Sequence, residues 1–143
     1  MSYSYSYPRP AVAADCMIFR QMAGGWEVLL IRRGNHPFEG MWALPGGFME
    51  MDETLEHAAS RELEEETGLT NIKLRQFRTY SGIDRDPRHR TIGVVFFGFS
   101  GPEDAPKAGD DAREAAWFPI NQLPPLAFDH ELILREALQE LLD

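Results

Sequence analysis

Apolar and polar residues alternate with changing period along this chain, and the changes predict its elements. Residues 12–19 and 26–31 are short, nearly continuous apolar runs separated by Gly24-Gly25, which reads as two strands joined in a hairpin. Residues 91–99, rich in Val, Ile and Phe, form the most strand-like run. Residues 71–81 read as mostly extended with a polar tip, and residues 115–118 as a short strand. Residues 54–67 contain no Pro or Gly and are dominated by Ala, Leu, Glu and Arg, which predicts a helix. Asp52 or Thr54 can cap its start and Gly68 can end it. A closing helix follows from Asp129, a possible cap, to Leu142, with Ile133, Leu134, Ala137, Leu138 and Leu141 on its apolar side. Residues 32–40, 84–90 and 101–111 are polar or breaker-rich loops, and 119–125 a turn region. Residues 41–45 lead into Gly46-Gly47. Strands on both sides of a mid-chain helix, with a helix at the end, predict an α/β chain with a mixed sheet between helices.

The mid-chain helix places its charges unusually. At about 100° per residue, Leu55, Ala58, Ala59 and Leu63 share one broad face. Glu62 and Glu66 fall on that face and Glu65 borders it, while Glu56 and Glu64 point away. Two carboxylates about 4 Å apart repel by about 4 kcal/mol at an effective dielectric of about 20. A solvated acidic helix would turn such charges to water. A divalent cation removes the conflict, and hard oxygen donors suit magnesium or manganese.

Length and charge narrow the remaining classes. The 143 residues suffice for one domain with a real core, residues 11–143, preceded by an arm at 1–10. The arm alternates Tyr and Ser before two prolines; its tyrosines either stay free or pack on a neighbouring subunit. A net charge of −9 argues against a nucleic-acid footprint, though not against a small anionic substrate beside a metal. The single cysteine, Cys16, lies in an apolar strand and reads as a core thiol. The N-terminus lacks a basic-then-apolar leader, and no apolar run approaches the about 20 residues of a membrane span. A reducing cytoplasm is expected.

Residues 47–69 fit the pattern G-x5-E-x7-R-E-U-x-E-E-x-G-U, U being apolar, through Gly47, Glu53, Arg61, Glu62, Leu63, Glu65, Glu66, Gly68 and Leu69. This resembles the motif of Nudix hydrolases, which cleave a nucleoside diphosphate linked to another group. The resemblance implies an αβα sandwich and, together with four further segments, covers nearly the whole chain. It also implies Glu62, Glu65, Glu66 and the Gly46 carbonyl as ligands of Mg2+ or Mn2+. Gly46 and Gly47 let metal and phosphate approach the backbone. Arg61 follows the family's structural arginine, paired with Glu53 or a metal-site glutamate, and Glu53 is support. Glu114, just before the strand at 115–118, is the candidate general base. Glu66 is the alternative base, and ordinary loop charge the bland reading of Glu114. His57 and His89 are poorer candidates.

Four further segments resemble the family's ADP-ribose pyrophosphatases: residues 7–12 (YPRPAV), 84–88 (DRDPR), 109–112 (GDDA) and 126–130 (LAFDH). Pro87 can be that subgroup's downstream proline. The YPRP and LAFDH segments also occur in Nudix-related regulators of NAD metabolism. Arg32, Arg85 and Arg88 are candidate phosphate or ribose contacts, and Phe38 and Phe128 can stack a base. Trp42, Trp117 and Phe118 read as core. The expected reaction is hydrolysis of ADP-ribose to AMP and ribose 5-phosphate. The alternatives are another Nudix substrate (a damaged nucleotide or a sugar nucleotide) or a non-catalytic ADP-ribose sensor. A homodimer is expected, with no nucleic-acid or membrane partner.

Overall fold

The computed structural model describes residues 2–109 and 112–142. Its strands are β1 (Ala11–Met22), β2 (Gly25–Arg33), β3 (Trp42–Ala43), β4 (Gly46–Phe48), β5 (Arg75–Tyr80), β6 (Thr91–Phe99) and β7 (Ala112–Pro119). The helices are α1 (Leu55–Thr67) and α2 (His130–Leu141). The sheet order is β3-β2-β1-β6-β5, with β4 also pairing β1 and β7 pairing β2. β1 and β6 run parallel and the other pairs are antiparallel, so the sheet is mixed.

Alternation along β1 builds the two layers. Ala14, Cys16 and Ile18 pack with Ala58, Ala59 and Leu63 of α1. Met17 and Phe19 pack with Ile133, Leu134 and Ala137 of α2 on the other face. The expected αβα sandwich is therefore the observed one. Cys16 is fully buried, its thiol directed at the Ala59 carbonyl. Trp42, Trp117 and Phe118 are partly buried against the two cores, as read from the sequence.

Boundaries differ where pairing partners decide them. β1 and β2 are longer than the apolar runs, so Arg32 and Arg33 belong to β2 rather than to the following loop. Gly46–Phe48 is a strand because it pairs with residues 13–15 of β1, although Gly-Gly-Phe has little strand propensity. The extended segment at 71–81 is a strand only from Arg75. Thr54 caps α1, its hydroxyl accepting from the His57 amide at 3.1 Å, and Gly68 ends it at φ 75°. Asp129 precedes α2 but makes no side-chain cap, because its carboxylate is taken by Arg85. The arm at residues 2–10 has no helix or strand and leaves Tyr3 and Tyr7 exposed.

Candidate active site

A cavity of about 490 Å³ opens between β1, β4, the face of α1 that bears Glu62 and Glu66, and three loops. That size suits a small-molecule ligand. Its acidic end joins Asp15 of β1, Gly46 and Gly47 of β4, and Glu62 and Glu66. The lining also includes Arg33, Arg85, Arg88 and Phe128.

The acidic end is tightly built. Glu66 is 7% exposed and accepts a 2.7 Å hydrogen bond from the Gly46 amide. Burial pushes its carboxyl up to about 8, opposed by that hydrogen bond and reinforced by the charges of Glu62 and Asp15. Burial likewise raises Glu62, although Arg61 opposes the shift. Asp15 is pushed up to about 7 by burial, with Arg85 pulling it down. Gly46 and Gly47 are needed for steric reasons. A Cβ at Gly47 would stand 2.5–2.6 Å from the Glu62 carboxylate. One at Gly46 would stand 2.2 Å from Asp15 Oδ1 and 2.5 Å from the Ala14 carbonyl.

Arg61 organises the helix side. Its Nε and Nη2 bond the two Glu53 oxygens at 2.5 and 2.8 Å, and its Nη1 bonds Glu62 at 2.7 Å and Glu65 at 3.0 Å. The two expected pairings, with Glu53 and with a metal-site glutamate, thus occur together. The Arg61 hydrogen bonds hold the Glu53 carboxyl down to about 2. Glu53 also accepts from the Glu50 amide and contacts His57, a supporting position. Glu65 is the outermost of the three box glutamates, with its side chain 41% exposed.

Among the described residues no three acidic, His or Cys side chains already converge as a metal cluster. Arg61 neutralises Glu62 and Glu65, and Glu66 turns to the Gly46 amide. The donor set nonetheless fits a hard divalent cation. It consists of carboxylate oxygens, two of them desolvated and mutually repelling, around a strand whose glycines leave the backbone open.

The other expected residues divide into two groups. Arg88 and Phe128 line the cavity; Arg88 lies over the rings of Phe48 and Phe128 and is gripped by Asp86 at 2.8 and 3.0 Å. Phe38 does not line the cavity but meets Phe128 edge-on at 4.8 Å. Arg85 lines the cavity, but its guanidinium is held by Asp129. Arg32 and Glu114 stand opposite each other on β2 and β7, joined by a 3.0 Å ion pair, and neither lines the cavity. The segment at 109–112 lies partly outside the described residues, which exclude Asp110 and Asp111. Sequence reasoning missed Asp15, Arg33, Asp86 and His130. His130 is buried and accepts from the Leu44 amide at 3.0 Å through Nδ1, and burial lowers its pKa to about 4. The available signal for Asp15 was a single carboxylate within an apolar strand.

The model of the NUDIX domain matches residues 9–141, nearly the whole chain. The chain belongs to the Nudix family. It is accordingly a Nudix pyrophosphohydrolase, in a family that uses divalent metal ions. Among its relatives is an ADP-ribose pyrophosphatase of Methanocaldococcus jannaschii, 48% identical over 93% of this chain and 76% of the relative. An ADPR-responsive transcriptional repressor of Acinetobacter baylyi is 34% identical over 94% of this chain and 56% of that protein. The NUDIX domain of Shewanella oneidensis NrtR, solved with ADP ribose, superposes with a TM-score of 0.89 at 30% identity, covering 95% of this Nudix chain and 91% of that one.

Proposed function

We propose that this protein hydrolyses ADP-ribose to AMP and ribose 5-phosphate in a magnesium- or manganese-dependent reaction. The observation that carries this reading is a cavity that brings the desolvated carboxylates of Glu62 and Glu66 together with Arg33, Arg88 and Phe128. The 48% identical pyrophosphatase and the ADP-ribose-bound neighbour support the choice of substrate.

Glu62, Glu65, Glu66 and the Gly46 carbonyl would hold the cation. When bound, it supplies charge neutralisation of the diphosphate and a more acidic water. The chain's own residues do the rest. Arg61 fixes the angles of Glu62 and Glu65 through its contacts with Glu53. Arg88 meets anionic or ribose oxygens, and Phe128 with Phe38 presents an aromatic surface to the base. A water oxygen bonds to one phosphorus, the bridging P–O bond breaks, and the water's proton passes to a carboxylate. We assign that proton to Glu66, a reading supported by its position in the cavity lining. Glu114, the base expected from sequence, sits beyond the lining and is ion-paired with Arg32, so we assign that pair a supporting part at the sheet edge. We place the enzyme in the cytoplasm, as a homodimer.

The test is a panel of nucleoside diphosphate derivatives and triphosphates assayed with magnesium and product analysis. AMP and ribose 5-phosphate from ADP-ribose are expected as the preferred products. Preference for a damaged triphosphate or a sugar nucleotide overturns the substrate. Tight ADP-ribose binding without turnover on any substrate makes the protein a sensor, the role that the repressor relative raises.

A further inference from the structure

Phe128 adopts φ 55°, in the left-handed region that a bulky aromatic residue rarely enters. Its neighbours hold it there. The Ala127 amide bonds the Trp42 carbonyl at 2.9 Å, and His130 accepts from the Leu44 amide at 3.0 Å. Between them, Asp129 receives both arms of Arg85, Nε at 2.9 Å and Nη2 at 2.8 Å. Such a conformation persists only where the surroundings over-determine it. In this conformation Phe128 lines the cavity, with the Arg33 and Arg88 guanidinium carbons 4.9 and 5.7 Å from its ring centroid.

Arg85 is built into the molecule rather than offered to a ligand. Its side chain is only 5% exposed. Its guanidinium lies against Gly93 of β6, where a Cβ would stand 2.9 Å from both Nη atoms and 3.0 Å from Cζ. A side chain at this position would push the guanidinium out of that seat. Arg85 comes from the loop that also carries Asp86 and Arg88, and Asp129 from the segment that carries Phe128. The bidentate pair therefore fastens two separate cavity-lining segments to each other.

We infer that Gly93, Arg85 and Asp129 form a clasp whose work is to position Phe128 and Arg88 in the cavity lining, so that Arg85 is a positioning residue and not a substrate contact. Arg85 replaced by Lys keeps the charge but loses the planar fork that grips Asp129 and fits over Gly93. The kinetic part of this inference rests on the reading of the cavity as a nucleoside diphosphate site. The structural part does not.

Two measurements test it. The first is amide hydrogen exchange at residues 126–130 in ligand-free protein. Arg85→Lys, Asp129→Asn and Gly93→Ala are each expected to speed exchange there at least tenfold, with melting temperatures confirming that the variants remain folded. Unchanged exchange in the folded variants overturns the clasp, whatever the substrate proves to be. The second is a double-mutant cycle on ADP-ribose. Arg85→Lys and Phe128→Ala are each expected to raise KM at least fivefold with kcat within about twofold, and the double variant to fall clearly short of the product of the two effects, because part of the Arg85→Lys loss runs through Phe128. Fully multiplying effects on KM would show that Arg85 acts independently of Phe128 and overturn the positioning role. Absence of ADP-ribose binding by the wild type would remove the proposed function and leave the exchange result to decide the clasp.

Discussion

Burial raises the Glu66 carboxyl from 4.5 to about 8 and that of Asp15 from 3.8 to about 7. Both shifts have the same consequence for stability. A group whose folded pKa is raised costs nothing below its unfolded pKa and destabilises the fold as pH rises through the folded one. Glu53, held down to about 2, acts oppositely: its stabilisation is present above 4.5 and is lost only in stronger acid. Without metal, the melting temperature should therefore be highest near about pH 5 and fall toward about pH 8. Glu66→Gln should flatten that fall, because the amide keeps the shape and removes the charge. A scan of melting temperature against pH with chelator, for wild type and variant, checks this. A wild type that gains stability from pH 5 to pH 8 would contradict the buried placement. Saturating divalent cation should reverse the fall in the wild type and have little effect on the variant.

At the scale of elements, the β4–α1 junction is the most constrained part of the site. Gly47→Ala would drive a methyl group into the Glu62 carboxylate, which Arg61 already holds from the other side. We expect it to lower kcat at least tenfold while the melting temperature stays near that of the wild type; unaltered turnover would mean that Glu62 moves freely. Thr54→Ala should remove the cap of α1 and cost about 1 kcal/mol in denaturant unfolding. The character of α1 was legible in advance because composition, period and terminal residues all point the same way. Its buried Ala58, Ala59 and Leu63 and outward Glu56 and Glu64 follow directly from spacing. β4 was not legible, since its extended state comes from pairing with β1, a contact distant in sequence. Asp15 was hidden for the same reason: only that pairing brings a carboxylate in an apolar strand against Gly46 and the box glutamates. Asp129 misled as a cap because its partner, Arg85, is 44 residues away.

For the whole molecule, the sandwich explains why the site lies where it does. The parallel pair β1 and β6 carries Asp15 and Gly93, α1 brings Glu62 and Glu66, and the segment before α2 brings Phe128. The arm at residues 2–10 reaches the turn before α1, where the Tyr5 hydroxyl approaches Met51 Sδ at 3.9 Å, and Arg9 covers the Tyr5 ring. Tyr3 and Tyr7 remain 55% and 71% exposed, and tyrosine favours interfaces. We expect light scattering at micromolar concentration to give a dimer that weakens when residues 1–7 are removed. A monomeric full-length protein would reject the dimer, and an unchanged dimer only the arm's part in it. We propose that the buried glutamates of the cavity carry a divalent-metal-dependent cleavage of ADP-ribose. The most direct measurement is kcat for ADP-ribose at saturating magnesium, wild type beside Glu66→Gln, each with its melting temperature. We expect turnover by the wild type, abolished by chelator, and a loss of at least a hundredfold in a variant that is folded and no less stable. Equal rates in the two proteins, or a rate indifferent to chelator, would contradict it.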